Sequence, residues 1–356
     1  MKKITKILIT LFFIALTIRI LFLFSAPVKI WDETVYANLG HDLSKNLGYS
    51  VRNGWSDYIP EGEAPYAWPR VGFRAPLLPV ILSIFYFLKL DFLINLLIPL
   101  IGALSVILVF SLGKTLFNEK VGLYSAILIS ILPLHVVYSA KILTGVLFTF
   151  FTLLTFISFW KGYEKGEKIH KILFGLFLAL ALLARYTALW IIPIFLLYFL
   201  IRDKSLKVVK DKYLWYSIGI FFITLIPWFI YGIGEYKNPL GAFIHGSKAA
   251  AYWGGLQPWT FFFNAWWHMF SIIGIVFIIG LIYLAYKKEL FKKEVYLLVL
   301  WLAFFLIMAI YMPHKEERFI LALTPALVLI SGRFLNNLKG KKMIILLIVI
   351  ISIFSL

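Results

Sequence analysis

Two clusters of ionisable residues interrupt an otherwise apolar chain. Asp32 and Glu33 follow an apolar run of about twenty residues, a place where carboxylates are costly unless they have a use. Such a pair can cap the helix that follows, with Asp32 near its N-terminus. It can equally supply a general base, taking the proton from a hydroxyl that attacks the anomeric carbon of a sugar. The second cluster, His314-Lys315-Glu316-Glu317-Arg318, lies between two apolar runs. It can be a plain charged loop. Its cations are also of the kind that meet negative charge developing on a phosphate leaving group, and Glu316 or Glu317 can orient those cations or hold sugar hydroxyls.

Other candidates are more isolated. Arg185 follows the apolar run Gly175 to Ala184 and either snorkels to the surface or binds phosphate or pyrophosphate. Arg74 and Lys141 are weaker candidates of the same kind. Tyr252-Trp253-Gly254-Gly255 with Pro258-Trp259 offers aromatic platforms for an acceptor sugar or a lipid stem, or else forms part of an interfacial aromatic belt. None of the six histidines has a partner at metal-ligand spacing. His135 and His268 read as residues hydrogen-bonded within or beside helices. There is no cysteine, hence no thiol nucleophile, and no phosphate-binding loop or dinucleotide fingerprint. No cofactor and no metal are expected. A soluble nucleotide-sugar donor has no fold to bind it here, which points to a lipid-phosphate donor.

The elements that must position these residues are membrane helices. The chain of 356 residues is 62% hydrophobic and only 15% charged, far more apolar than soluble domains. Its net charge of +18 sits in short basic clusters between apolar runs, as in cytoplasmic loops, so nucleic acid is not an expected partner. The apolar run from Ile7 to Phe24, after Lys2 and Lys3, reads as an uncleaved signal anchor. Apolar runs at roughly 5–25, 92–113, 120–138, 143–160, 169–184, 187–201, 213–233, 266–286, 294–311, 319–335 and 343–356 predict an all-α polytopic protein of about eleven spans. A first external loop covers 26–74. Within it, Val35, Leu39, Leu43 and Leu47 predict a short amphipathic helix over 33–47. Residues 75–90 are predicted not to cross. Only then do the clusters Lys161 to Lys171, Arg202 to Lys212, Lys287 to Lys293 and Arg333 to Lys342 fall inside, while the loops 234–265 and 312–318 fall outside. All the polar oddities then collect on one external face of a single domain, 1–356.

These motifs together resemble a known family. His314-Lys315-Glu316-Glu317-Arg318-Phe319 is similar to the signature of the lumenal mannosyltransferases that extend the N-glycan lipid precursor and the GPI anchor, members of the GT-C superfamily that use dolichyl-phosphate-mannose. Trp31-Asp32-Glu33 resembles their first-loop acidic motif, and Arg74 through Pro79 the stretch that ends that loop. Gly175 to Ala188 and Tyr252 to Trp259 are similar to their Gly-rich helix with its arginine turn and to their tyrosine-glycine and proline-tryptophan loop. The resemblance implies an inverting transfer without metal, with Asp32 as base and the cations of the last loop on the phosphate. The sequence departs from the pattern at Gly145, where relatives carry a polar residue, and near Leu39 and Gly40, where a glutamate is missing. The expected function is therefore transfer of a sugar, mannose by resemblance, from a polyprenyl or dolichyl phosphate to a hydroxyl of a glycan or lipid-linked glycan on the external face. Alternatives are a protein O-mannosyltransferase or aminoarabinose-transferase-like enzyme, or a transporter of lipid-linked sugars.

Overall fold

The computed structural model describes residues 2–25, 31–49, 72–205, 207–252, 257–312, 314–338 and 341–355. Most of the predicted first loop, and Trp253, lie outside them. All regular structure among the described residues is helical. The chain opens with α1 (Lys2–Ser25), then two shorter helices, α2 (Trp31–Ser44) and α3 (Leu77–Phe87). It continues through α4 (Ile94–Leu116), α5 (Glu119–Ile131), α6 (Pro133–Ser139), α7 (Thr144–Phe159), α8 (Lys168–Ala184), α9 (Ile191–Asp203) and α10 (Lys212–Tyr236). After α11 (Gly241–Tyr252) and the single turn α12 (Phe261–Asn264) come α13 (Trp266–Tyr286), α14 (Lys293–Tyr311), α15 (Thr324–Asn337) and α16 (Lys341–Phe354).

Among the described residues, eight helices are long and apolar enough to cross a membrane, or nine if the bent pair α5 and α6 is one span. This makes an integral membrane protein. Two further apolar runs expected to span, 169–184 and 343–356, form shorter helices. α8 has 17 residues, about 26 Å at 1.5 Å per residue and at the lower limit for a span, and α16 has 14, about 21 Å, against a hydrocarbon core of about 30 Å. Composition reports that a run is apolar; its helical length is set by where the backbone turns. In α8 that limit is Arg185, which is extended at φ −160° and ψ 128°. The amphipathic helix predicted over 33–47 is α2, which starts two residues earlier and ends at Ser44. Val35 and Leu39 are buried, Leu43 is half-buried, and Leu47 is exposed beyond the helix end. α3, with 11 residues, packs along α2.

Close approach explains several glycines. A Cβ at Gly113 would lie 2.7 Å from Gly122 Cα, where α4 crosses α5, and one at Gly175 would collide with the Ser217 carbonyl, where α8 meets α10. Small residues let membrane helices approach in this way. Larger side chains fill the interior: Trp301 of α14 stacks on Phe156 of α7 with ring centres 3.7 Å apart.

A charged residue lies in the middle of the first spanning helix. Arg19, in the middle of α1, is 0% exposed. Pro133 has no N–H to offer the Ile129 carbonyl, and the chain bends by 59° between α5 and α6. Arg19 fills the gap, donating to the carbonyls of Ser130 (3.2 Å) and Ile129 (3.3 Å) and to that of Ala15 (2.9 Å). It also lies 2.9 Å from His135 Nδ1. A cation thus caps a helix C-terminus inside the membrane, where free carbonyls are costly.

The bundle has two chemically different ends. At one, Glu164 accepts from Arg202 (2.5 Å) and Lys293 (2.8 Å), Lys171 pairs with Asp211, and Arg333 pairs with Glu289 at 3.1 Å. The other end gathers the start of α2, the approach to α3, the turn between α6 and α7, Arg185 and the segment before α15.

Candidate active site

At that second end the chain assembles one ionic network from positions up to 286 residues apart. Asp32 and Glu33 occupy the first turn of α2, where free N–H groups and the helix dipole favour carboxylates. Neighbours on a helix point about 100° apart, and the two acids part company accordingly. Asp32 Oδ1 lies 2.7 Å from Arg74 Nη2, and its Oδ2 accepts from Arg318 Nη2 at 2.6 Å. Glu33 is buried, accepting the Ile142 N–H at 2.9 Å with the Lys141 ammonium 3.8 Å away. Glu33 therefore ties α2 to the turn between α6 and α7.

Arg318 extends the network. It donates to Glu316 Oε1 at 2.6 Å, and the same oxygen lies 2.9 Å from His314 Nε2. The Arg318 Nε is buried without a partner among the described residues. Burial works to raise the Asp32 carboxyl, but the Arg74 and Arg318 guanidiniums outweigh it and hold it below the usual carboxylate range. Burial also opposes the charge of Arg74, yet Tyr36 and Asp32 more than restore it. Asp32 is thus a carboxylate at neutral pH, clamped between two cations.

Arg185 completes the cationic side. Its guanidinium lies 4.6 Å from the Phe319 ring centre and meets no carboxylate at ion-pair distance among the described residues. Burial lowers it to about 10, with the Arg318 charge adding to the effect, so it stays protonated at neutral pH. The departure at Gly145 lies beside it: a Cβ there would be 3.9 Å from Arg185 Nη1 and 2.7 Å from Leu321 Cδ1.

The remaining candidates lie elsewhere. Lys315 is buried, and its ammonium donates to the carbonyls of Met312 (2.7 Å) and Gln257 (3.1 Å), so it fastens the loop. No ion pair engages Glu317 among the described residues; Tyr138 and His268 are within its electrostatic reach. Trp259 is exposed and packs edge-on against Phe263. Trp253 and the side chain of Tyr252 lie outside the described residues. Sequence reasoning passed over Gln257, Arg19 and the tyrosines that surround Arg74. Only Arg19 carried a signal, as a charge inside an apolar span.

Comparisons with known proteins agree with this architecture. Residues 73–231 match the family described as dolichyl-phosphate-mannose-protein mannosyltransferase. Comparison with the curated proteins gives no match. ArnT from Cupriavidus metallidurans bound to undecaprenyl phosphate is similar in structure, with a TM-score of 0.73 at 14% identity over 96% of this chain and 61% of its own. The Archaeoglobus fulgidus oligosaccharyltransferase in complex with Zn and sulfate has a TM-score of 0.69 at 16% identity, over 98% of this chain and 51% of its own. The same organism's oligosaccharyltransferase AglB, with an inhibitory peptide and a dolichol-phosphate, has a TM-score of 0.66 at 14% identity over 99% and 54%. The chain has the GT-C fold of the membrane glycosyltransferases. It spans between half and two thirds of the length of these solved relatives.

Proposed function

We propose that this protein is an inverting glycosyltransferase that takes a sugar from a polyprenyl-phosphate carrier. One observation carries the reading: Asp32 is held by Arg74 and Arg318 beside Arg185, a half-buried cation with no carboxylate partner at ion-pair distance among the described residues. A carboxylate and a guanidinium with no ion-pair partner among the described residues thus stand together at one end of a membrane bundle. In the transfer, an acceptor hydroxyl attacks the anomeric carbon and forms the new C–O bond. The bond from that carbon to the phosphate oxygen breaks, and its electron pair leaves with the polyprenyl phosphate. The hydroxyl proton passes to Asp32. Arg185 and the positive charge of Arg318 meet the charge that grows on the phosphate. This refines the role expected for Arg318, whose Nη2 already serves Asp32 and Glu316.

The basic clusters at the opposite end of the bundle support a cytoplasmic assignment for that end and an external one for the site. α3, about 16 Å long for its 11 residues, then lies along the external face with α2 without crossing. Mannose is the sugar we assign, on the family match and on the motif of residues 314–319. For the acceptor, the motif favours a glycan or lipid-linked glycan. The family match over 73–231, being to protein mannosyltransferases, favours a protein hydroxyl as the second reading.

The test is to incubate the purified protein with labelled polyprenyl-phosphate-mannose and either a lipid extract or a serine- and threonine-rich peptide. Label should move to one of these acceptors. Transfer from GDP-mannose with no lipid carrier present contradicts the proposal.

A further inference from the structure

Residues 72–74 belong to no helix, yet every carbonyl in this short segment is held by a phenol. Tyr231 donates to the Gly72 carbonyl at 2.7 Å, Tyr186 to that of Phe73 at 2.9 Å, and Tyr49 to that of Arg74 at 3.0 Å. The three rings come from three places: the stretch after α2, the turn that follows Arg185, and α10. They are themselves constrained. Trp228 Nε1 donates to the Tyr186 hydroxyl at 3.1 Å and stacks on Tyr231 with ring centres 4.5 Å apart, while Tyr49 stands edge-on to both Trp228 and Tyr231. The Gly72 N–H donates to the Tyr49 carbonyl at 2.7 Å.

A buried carbonyl needs a partner, and any donor will satisfy it. This arrangement does more than satisfy carbonyls, because it fixes three successive peptide groups from separate elements, and the last of them carries the arginine that grips Asp32 at 2.7 Å. Tyr186 also directly follows Arg185 in the chain, so a shift of the backbone at one reaches the other.

We infer that Tyr49, Tyr186 and Tyr231 are positioning residues that set Arg74 on Asp32, and that Tyr186 links this contact to the anion site at Arg185. The role assigned to Asp32 rests on the function proposed above; the positioning itself does not. Asp32 is faced by Arg74, Arg318 and Arg185, with Tyr36 against Arg74 and Glu316 against Arg318. Of these, Arg74 is the charge the tyrosines govern. Drawing it away removes an influence that lowers the Asp32 carboxyl, so the proton affinity of Asp32 rises.

The test uses Tyr186→Phe, Tyr231→Phe and the double variant, which keep the rings and their stacking and lose only the hydroxyls. Infrared difference spectra of the purified full chain, with Asp32→Asn as the reference, follow the Asp32 carboxylate band through a pH titration. The midpoint should move to higher pH in each single variant and further in the double one. Superimposable titrations in variants that purify and melt like the parent overturn the inference. A fall in yield or melting temperature with an unmoved midpoint also overturns it, by reducing the tyrosines to carbonyl partners. In a transfer assay, Tyr231→Phe should lower kcat several-fold with the KM for donor within about twofold, whereas Tyr186→Phe should raise that KM as well. The infrared arm needs no turnover. Were Asp32→Asn to keep parent turnover, the proposed function would fail while the positioning result still stood.

Discussion

Replacing Arg19 with methionine tests how the broken helix α5–α6 is held. Methionine keeps an unbranched apolar stem and removes every donor. The Ala15 carbonyl loses least, because it still has the backbone N–H of its own helix four residues on. The carbonyls of Ile129 and Ser130 and the Nδ1 of His135 are left without Arg19 in a buried, lipid-surrounded place. Unsatisfied buried acceptors cost about 1–3 kcal/mol each, a gross loss of roughly 3–9 kcal/mol for three. Two effects offset it: several kcal/mol of guanidinium desolvation disappears, and His135 can turn to Ser139 Oγ, now 3.4 Å away. A net loss of about 2–4 kcal/mol follows. At about 2 °C per kcal/mol for a large chain, the melting temperature in detergent should fall by roughly 4–8 °C. Arg19→Lys should fall between, since one ammonium cannot span two carbonyls and an imidazole. Because α6 leads into the turn whose Ile142 N–H binds Glu33, activity should fall with stability. A melting temperature within one degree of the parent for Arg19→Met would refute the reasoning.

Four other outcomes follow from the same geometry. Arg185→Ala should weaken donor binding, measured as KM for polyprenyl-phosphate sugar, by more than tenfold, since it removes a charge-assisted contact. Gly145→Asp puts a carboxylate beside Arg185 and should likewise weaken donor binding, with competition by free polyprenyl phosphate as the readout. Glu33→Gln keeps an oxygen for the Ile142 N–H and should stay within about tenfold of parent turnover, whereas Glu33→Ala should purify with a lower melting temperature. Because the folded-state carboxyl of Asp32 is depressed, its stabilising contribution is fully present above the ordinary value of about 3.9 and is lost as pH falls through the lower folded value. The difference in melting temperature between parent and Asp32→Asn should therefore be flat from pH 5 to 8 and shrink below about pH 4.

The sequence made the membrane class plain because composition alone excludes a soluble chain. It also marked Asp32, Arg74, Arg185 and Arg318 one at a time, since each is a charge at the edge of an apolar run. Their meeting was not readable: Asp32 and Arg318 are 286 residues apart, and what joins them is the way the bundle folds back on itself. The division of labour inside the acidic pair was also hidden, because it depends on the backbone N–H of Ile142 lying under Glu33. Tyrosines bonded to backbone carbonyls leave no spacing pattern at all, so Tyr49, Tyr186 and Tyr231 read as ordinary aromatic residues. Composition also marked the apolar runs at 169–184 and 343–356 without giving their helical lengths, which are 17 and 14 residues.

The most direct measurement of the central claim is a single-turnover comparison of parent and Asp32→Asn, each preloaded with labelled polyprenyl-phosphate sugar and then mixed with acceptor. Asparagine keeps the shape and a hydrogen-bonding oxygen but is a far poorer proton acceptor. If Asp32 is the base, the variant should bind the donor within a few-fold of the parent and transfer the sugar on the order of 10² to 10⁴ times more slowly. Transfer at close to the parent rate would make Asp32 a cap for α2 and contradict the account.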